Sequence, residues 1–134
     1  MRVNFVDLER QYAAIQTEVD AAIARVMART DFILGADVVR FEEEFADYCG
    51  ARYAVGLDNG ATALELGLRA LGIGPGDEVL VPANSFMASA TAVSFAGATP
   101  VLVDVSPTSY NMHPGLLVDH ITPRTRAILP VHLY

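Results

Sequence analysis

From Val79 to Val103 the chain carries no charged residue and no histidine. A run of that length has to be buried, in a bilayer or inside a protein layer, because so much apolar surface is costly to leave in water. Pro82, Asn84, Ser85, Gly97 and Pro100 interrupt it. Breakers at that spacing separate short elements and argue against one long membrane helix. The expectation is a strand at 78–81, a small-residue helix at 86–95 and a strand at 99–103, all in one buried layer. No membrane partner is expected.

The flanking sequence has other periods. Leu8, Tyr12, Ile15, Val19, Ile23 and Val26 recur at steps of three and four, the stripe of an amphipathic helix over 8–27 with Asp7 as its N-cap. Phe41, Phe45 and Tyr48 mark a second helix over 37–48 that stops at Gly50. A short apolar run at 53–57 reads as a strand. Residues 61–71 read as a helix with Leu64, Leu68 and Leu71 inward and Gly72 as its stop. A helix at 114–120 and a strand from Arg126 to Val131 follow. The order β-α-β-α-β-α-β predicts an α/β fold, a mostly parallel sheet covered by helices. Val79-Leu80-Val81 and Val101-Leu102-Val103 suit strands buried on both faces. The expected organisation is an N-terminal helical segment, 1–50, and an incomplete α/β cofactor-binding domain, 51–134. The sequence stops straight after a strand, so a piece of a longer polypeptide is expected, with an apolar edge prone to association.

Charge narrows the partners. The 134 residues hold 16 acidic and 9 basic side chains, for a net charge of −7, and all of the basic ones are arginine. Scattered arginines on an acidic chain argue against a nucleic-acid surface. With no lysine, the G-K-[ST] of a triphosphate loop is impossible. The single cysteine, Cys49, cannot pair internally and reads as a small buried apolar residue in a reducing, cytoplasmic setting. His113, His120 and His132 lack metal-site spacing, and no metal is expected. His132 reads as a core histidine. The start, Met1 to Asp7, lacks the apolar core of a secretion signal.

Ligands of open α/β sheets bind beyond the carboxyl ends of strands. The turn Leu57-Asp58-Asn59-Gly60-Ala61-Thr62 leads into a helix. Its small residues let backbone N–H groups approach an anion, so Gly60, Ala61 and Thr62 form a candidate phosphate cradle. The same turn is also readable as an ordinary helix start capped by Asp58 or Asn59. At the next junction, Phe86 is either a ring that stacks on a planar ligand or a core phenylalanine. Asp104 either faces the same crevice or caps the turn at Pro107.

Four segments in this order carry a resemblance: FVDLERQYAAIQTEV (5–19), FILGADVVRFEEEFADYCG (32–50), the long stretch 53–105 from YAVGLDNGATALELGL through PANSFMASATAVSFAGATPVLVDV, and ITPRTRAILPVHLY (121–134). The chain resembles the N-terminal part of the DegT/DnrJ/EryC1/StrS aminotransferases, pyridoxal-phosphate (PLP) enzymes that aminate sugars. The resemblance implies part of a PLP-aminotransferase large domain, with helices on both sheet faces and N-terminal helices before it. It implies amino transfer from an amino acid, by family habit glutamate or glutamine, to a keto nucleotide-sugar or cyclitol, in a cytoplasmic homodimer.

The resemblance puts the cofactor phosphate on Gly60, Ala61 and Thr62 and the cofactor ring on Phe86. Asn59-Gly60-Ala61 stands where the family often has Ser-Gly-Thr, so one hydroxyl is moved or lost. The loop 32–35 resembles a segment near the sugar site, with Arg29-Thr30-Asp31 in place of the usual Ser-Gly lead-in. The family's Schiff-base lysine and its pyridinium-binding aspartate have no match here. No catalytic residue is therefore assigned, and the chain alone is expected to be inactive. The other readings are a non-catalytic fragment or subunit-interaction piece and, among enzymes, a PLP lyase or desulfurase of similar fold.

Overall fold

A computed structural model describes residues 4–133; Met1 to Val3, and Tyr134 at the end of the last resembling segment, lie outside the described residues. The chain divides into two compact units, Met1–Gly56 and Leu57–Tyr134.

The first unit holds α1 (Leu8–Arg29) and α2 (Ala36–Cys49). Asp7 caps α1 as expected, its side chain accepting from the Arg10 N–H at 3.1 Å. Gly50 ends α2 at φ 62°, a left-handed conformation that suits glycine. Between the helices, Asp31 accepts from Arg29 Nε at 3.0 Å and from the Ala36 N–H at 3.2 Å. These bonds, the Arg29 one first, hold its carboxyl below the usual aspartate range. Arg29 also pairs with Asp37. Gly35 is required here, since a Cβ would lie 2.2 Å from the Asp31 carbonyl oxygen.

The expected stripe is present but not buried, with only Val19 and Val26 half-covered. No α1 residue is buried, and α2 buries only Ala46. Phe41 and Phe45 stack at 5.5 Å between ring centroids, yet both stay exposed. Cys49 is exposed too. This corrects the buried reading of that residue, because a helix end with no covering element leaves its side chains in solvent.

Residues 53–57 form no strand. A strand needs a ladder partner, and none lies beside this run among the described residues. The Gly56 N–H instead donates to Glu42 Oε1 at 2.6 Å, and Tyr53 and Val55 are exposed.

The second unit runs α3 (Gly60–Ala70), β1 (Glu78–Pro82), α4 (Ala88–Phe95), β2 (Thr99–Val103), α5 (Pro114–His120) and β3 (Thr125–Ile128). The strands form one parallel sheet in the order β2-β1-β3. Helix α3 packs on α4, α4 on β1 and β2, and α5 on β2. The core joins Val79 and Val81 to Leu68 of α3 and Val93 of α4, with Ile73, Ala96 and Ala98 around them.

Every residue of β1 is buried, the paired Glu78 included, and Val79-Leu80-Val81 behaves as its apolar sequence implies. The matching expectation for β2 fails. Leu102 is 57% exposed, because β2 is an edge strand with one neighbour and lies uncovered there. Leu71 is likewise exposed, since α3 ends one residue earlier.

At its amino end, β1 is tied to the start of β3. Glu78 accepts from the Thr122 hydroxyl at 2.5 Å and from Arg124 Nε at 2.9 Å. The Thr122 bond first, then Arg124, keeps this nearly buried carboxyl below the usual glutamate range.

No helix among the described residues is long and apolar enough to cross a membrane. No cluster of metal-ligating side chains occurs among them either.

Candidate functional site

The carboxyl end of β1 opens into the segment that carries Phe86, beside the start of α3. An open pocket of about 520 Å³ lies there, lined by Asn59, Gly60, Ala61 and Leu64 from one element and Phe86, Ala88 and Ser89 from the other. Thus two parts of the chain that the sequence reading treated as separate junctions meet at one pocket.

At the α3 start, three backbone donors are in question. An α-helix leaves its first N–H groups without intrahelical acceptors. Asn59 is the N-cap, and its Oδ1 accepts from the Thr62 N–H at 2.9 Å. The N–H groups of Gly60 and Ala61 have no acceptor among the described residues. The turn is therefore a capped helix start that still presents two donors at its positive end. Thr62 does not line the pocket. Its N–H is committed to the cap, so the geometry brings Gly60 and Ala61 to the pocket and leaves Thr62 behind them. A carboxylate stands close by, since Asn59 Nδ2 donates to Asp58 at 2.9 Å.

Phe86 precedes α4 and does not start it, because the helix begins at Ala88. Its ring is 80% exposed, which removes the core reading. Ser89 sits three residues on and is buried, 7% exposed. Ser85 Oγ donates to Ser89 Oγ at 2.9 Å. The sequence reading singles out Phe86 but passes over Ser89. No local pattern marks it, since residue 86 lies outside the helix that carries Ser89.

The other candidates lie elsewhere. Asp104 does not cap the turn at Pro107; its Oδ1 accepts from the adjacent Val105 N–H at 2.8 Å. His132 is exposed, so it is not a core histidine. His113 caps α5 through Nδ1, which accepts from the Gly115 N–H at 3.1 Å. In the other unit, the loop 32–35 exposes Phe32, Ile33 and Leu34, the last at φ 50°.

Known proteins share this sequence and fold. The chain is 52% identical to the dTDP-3-amino-3,4,6-trideoxy-alpha-D-glucose transaminase of Streptomyces venezuelae, over 99% of its own length and 35% of that protein's. It superposes with a TM-score of 0.93 on the crystal structure of S. venezuelae DesV in complex with a ketimine intermediate, at 52% identity over 99% of this chain and 36% of that one. NtdA from Bacillus subtilis, solved with bound cofactor PMP, gives a TM-score of 0.91 at 36% identity, over 99% of this chain and 31% of that one. The chain therefore spans about a third of the length of the curated relatives it matches. Residues 13–134 match one family throughout, and the chain belongs to the DegT/DnrJ/EryC1/StrS aminotransferase family.

Proposed function

We propose that this chain forms the phosphate and ring side of a PLP site in an aminotransferase that acts on a keto nucleotide-sugar or cyclitol. The observation that carries this reading is the single pocket shared by the α3 start and the exposed Phe86 ring.

The residues fit the cofactor. The Gly60 and Ala61 N–H groups, at the positive end of α3, bind a phosphate dianion. Thr62, behind them, keeps the turn in shape through its bond to Asn59. Phe86 offers a face for a pyridine ring and keeps water from it. When bound, PLP supplies an electron sink that stabilises negative charge at the amino donor's α-carbon.

NtdA's bound PMP, the amino form of the same cofactor, supports the assignment. The transaminase relative's dTDP-sugar name supports a nucleotide-sugar substrate. An amino-acid donor, a cytoplasmic setting and a homodimer belong to the same proposal, as does a sugar-facing role for the loop 32–35. The exposed α1 stripe is consistent with assembly.

The division into an N-terminal helical segment, 1–50, and an incomplete cofactor-binding domain, 51–134, is likewise proposed as functional. The α/β part holds the cofactor and the helical part serves assembly and substrate.

The chain contains no lysine. A side-chain amine is what holds PLP covalently and moves the proton at the donor carbon. We infer that these residues alone bind the cofactor without turning over. The absence of lysine also favours the second reading, a piece that serves subunit interaction only.

A titration separates the two. PLP added to the chain should move its ³¹P resonance, and borohydride should fix no adduct to a side chain. Phe86→Ala should weaken binding about tenfold. An unmoved ³¹P resonance at millimolar PLP would sink the cofactor reading and leave the interaction piece. A borohydride-fixed side-chain adduct would overturn the claim of non-covalent binding.

A further inference from the structure

Granting the PLP site proposed above, we propose that Ser89 is a ligand-binding residue whose hydroxyl donates to a polar atom of the cofactor ring, not to its phosphate. Among the residues lining the pocket, Ser89 carries the only hydroxyl. It is 7% exposed, so its polar atoms are shielded from bulk water. Its oxygen accepts from Ser85 at 2.9 Å; with the single Ser85 proton placed there and not on the more distant Phe86 carbonyl oxygen at 3.2 Å, Ser89 keeps its own proton to donate, since a serine has one O–H. That proton has no acceptor among the described residues. A buried donor beside a pocket is costly to leave unpaired.

The choice of ring over phosphate follows from which element supplies which group. Ser89 and Phe86 belong to the same segment after β1, three residues apart. A ring stacked on Phe86 is within the reach of its neighbour on that segment. The anion donors, Gly60 and Ala61, belong to α3, the other element that lines the pocket. Ser85 has a defined part as well. By donating to Ser89 it fixes the Ser89 rotamer.

The test uses the chain as it stands, with PLP and inorganic phosphate as probes, and Ser89→Ala and Ser89→Thr as variants. Circular dichroism melts check that both variants fold. Ser89→Ala should weaken PLP about tenfold, the worth of one hydrogen bond, and leave inorganic phosphate unchanged. Ser89→Thr should restore PLP affinity. Equal PLP affinity in wild type and Ser89→Ala overturns the proposal. So does an equal loss for both probes, which would place the hydroxyl's effect on the cradle. Wild type that binds neither probe removes the cofactor site itself, a failure distinct from that of Ser89.

Discussion

The two units of this chain answer the same kind of sequence pattern differently. In Leu57–Tyr134 the apolar residues of β1 meet those of α3 and α4 and vanish from solvent. In Met1–Gly56 an equally regular stripe on α1 buries no residue, and only Val19 and Val26 of it are even half-buried. The lesson is that periodicity specifies a helix and its apolar face, while burial requires a second surface of matching shape.

The largest expected effect tests that contrast directly. Val81 is fully buried, whereas Ile15 is 46% exposed. Val81→Asp should abolish cooperative melting of the α/β unit, since burying a lone charge costs several kcal/mol, on the order of 3 or more. Ile15→Asp should change stability by less than about 0.5 kcal/mol. Circular dichroism melts of both variants check this. An Ile15→Asp chain that unfolds as readily as Val81→Asp would mean the α1 stripe is covered in solution.

A smaller effect is expected at the helix starts. Asn59→Ala removes the α3 cap and should cost about 1 kcal/mol. Asp7→Ala removes the α1 cap and should only fray the first turn of a helix that buries nothing. Hydrogen exchange at the first-turn amides distinguishes the outcomes. Equal, local fraying in both would show that α3 is no better anchored than α1.

The smallest effect is acid-dependent. Thr122 and Arg124 depress the Glu78 carboxyl in the α/β unit. A depressed value stabilises the fold above the unfolded-state value of roughly pH 4.3, and the gain is lost as pH falls through the folded value. Glu78→Gln should therefore flatten the fall in melting temperature below about pH 4.3. Asp31, depressed by Arg29 and the Ala36 N–H, has the same sign in the helical unit. A melt followed at β-sheet wavelengths whose acid limb is unchanged in Glu78→Gln would remove Glu78 as its source.

Much of the fold was legible because it rests on local signals. Pro82 closes β1 and Gly97 follows the end of α4, while Pro100 falls inside β2; Asp7 and Gly50 cap as their types suggest. Residues 53–57 were not legible, since an extended apolar run becomes a strand only if a partner arrives. The site was half legible. Gly60, Ala61 and Phe86 stand out at strand ends, but the sequence could not say that one pocket joins them or that Thr62 stays outside it. Ser89 was invisible for the same reason, as a small polar residue gains meaning only from its neighbours.

The sequence by itself determined all the helices and three of the four expected strands, the parallel α/β order and the absence of lysine, because propensity, punctuation and composition are properties of the chain alone. Only the tertiary structure decided which apolar faces are covered, and that two backbone donors of α3 and the Phe86 ring share a cavity. Those outcomes depend on surfaces from distant segments meeting in space, and no local pattern encodes that meeting.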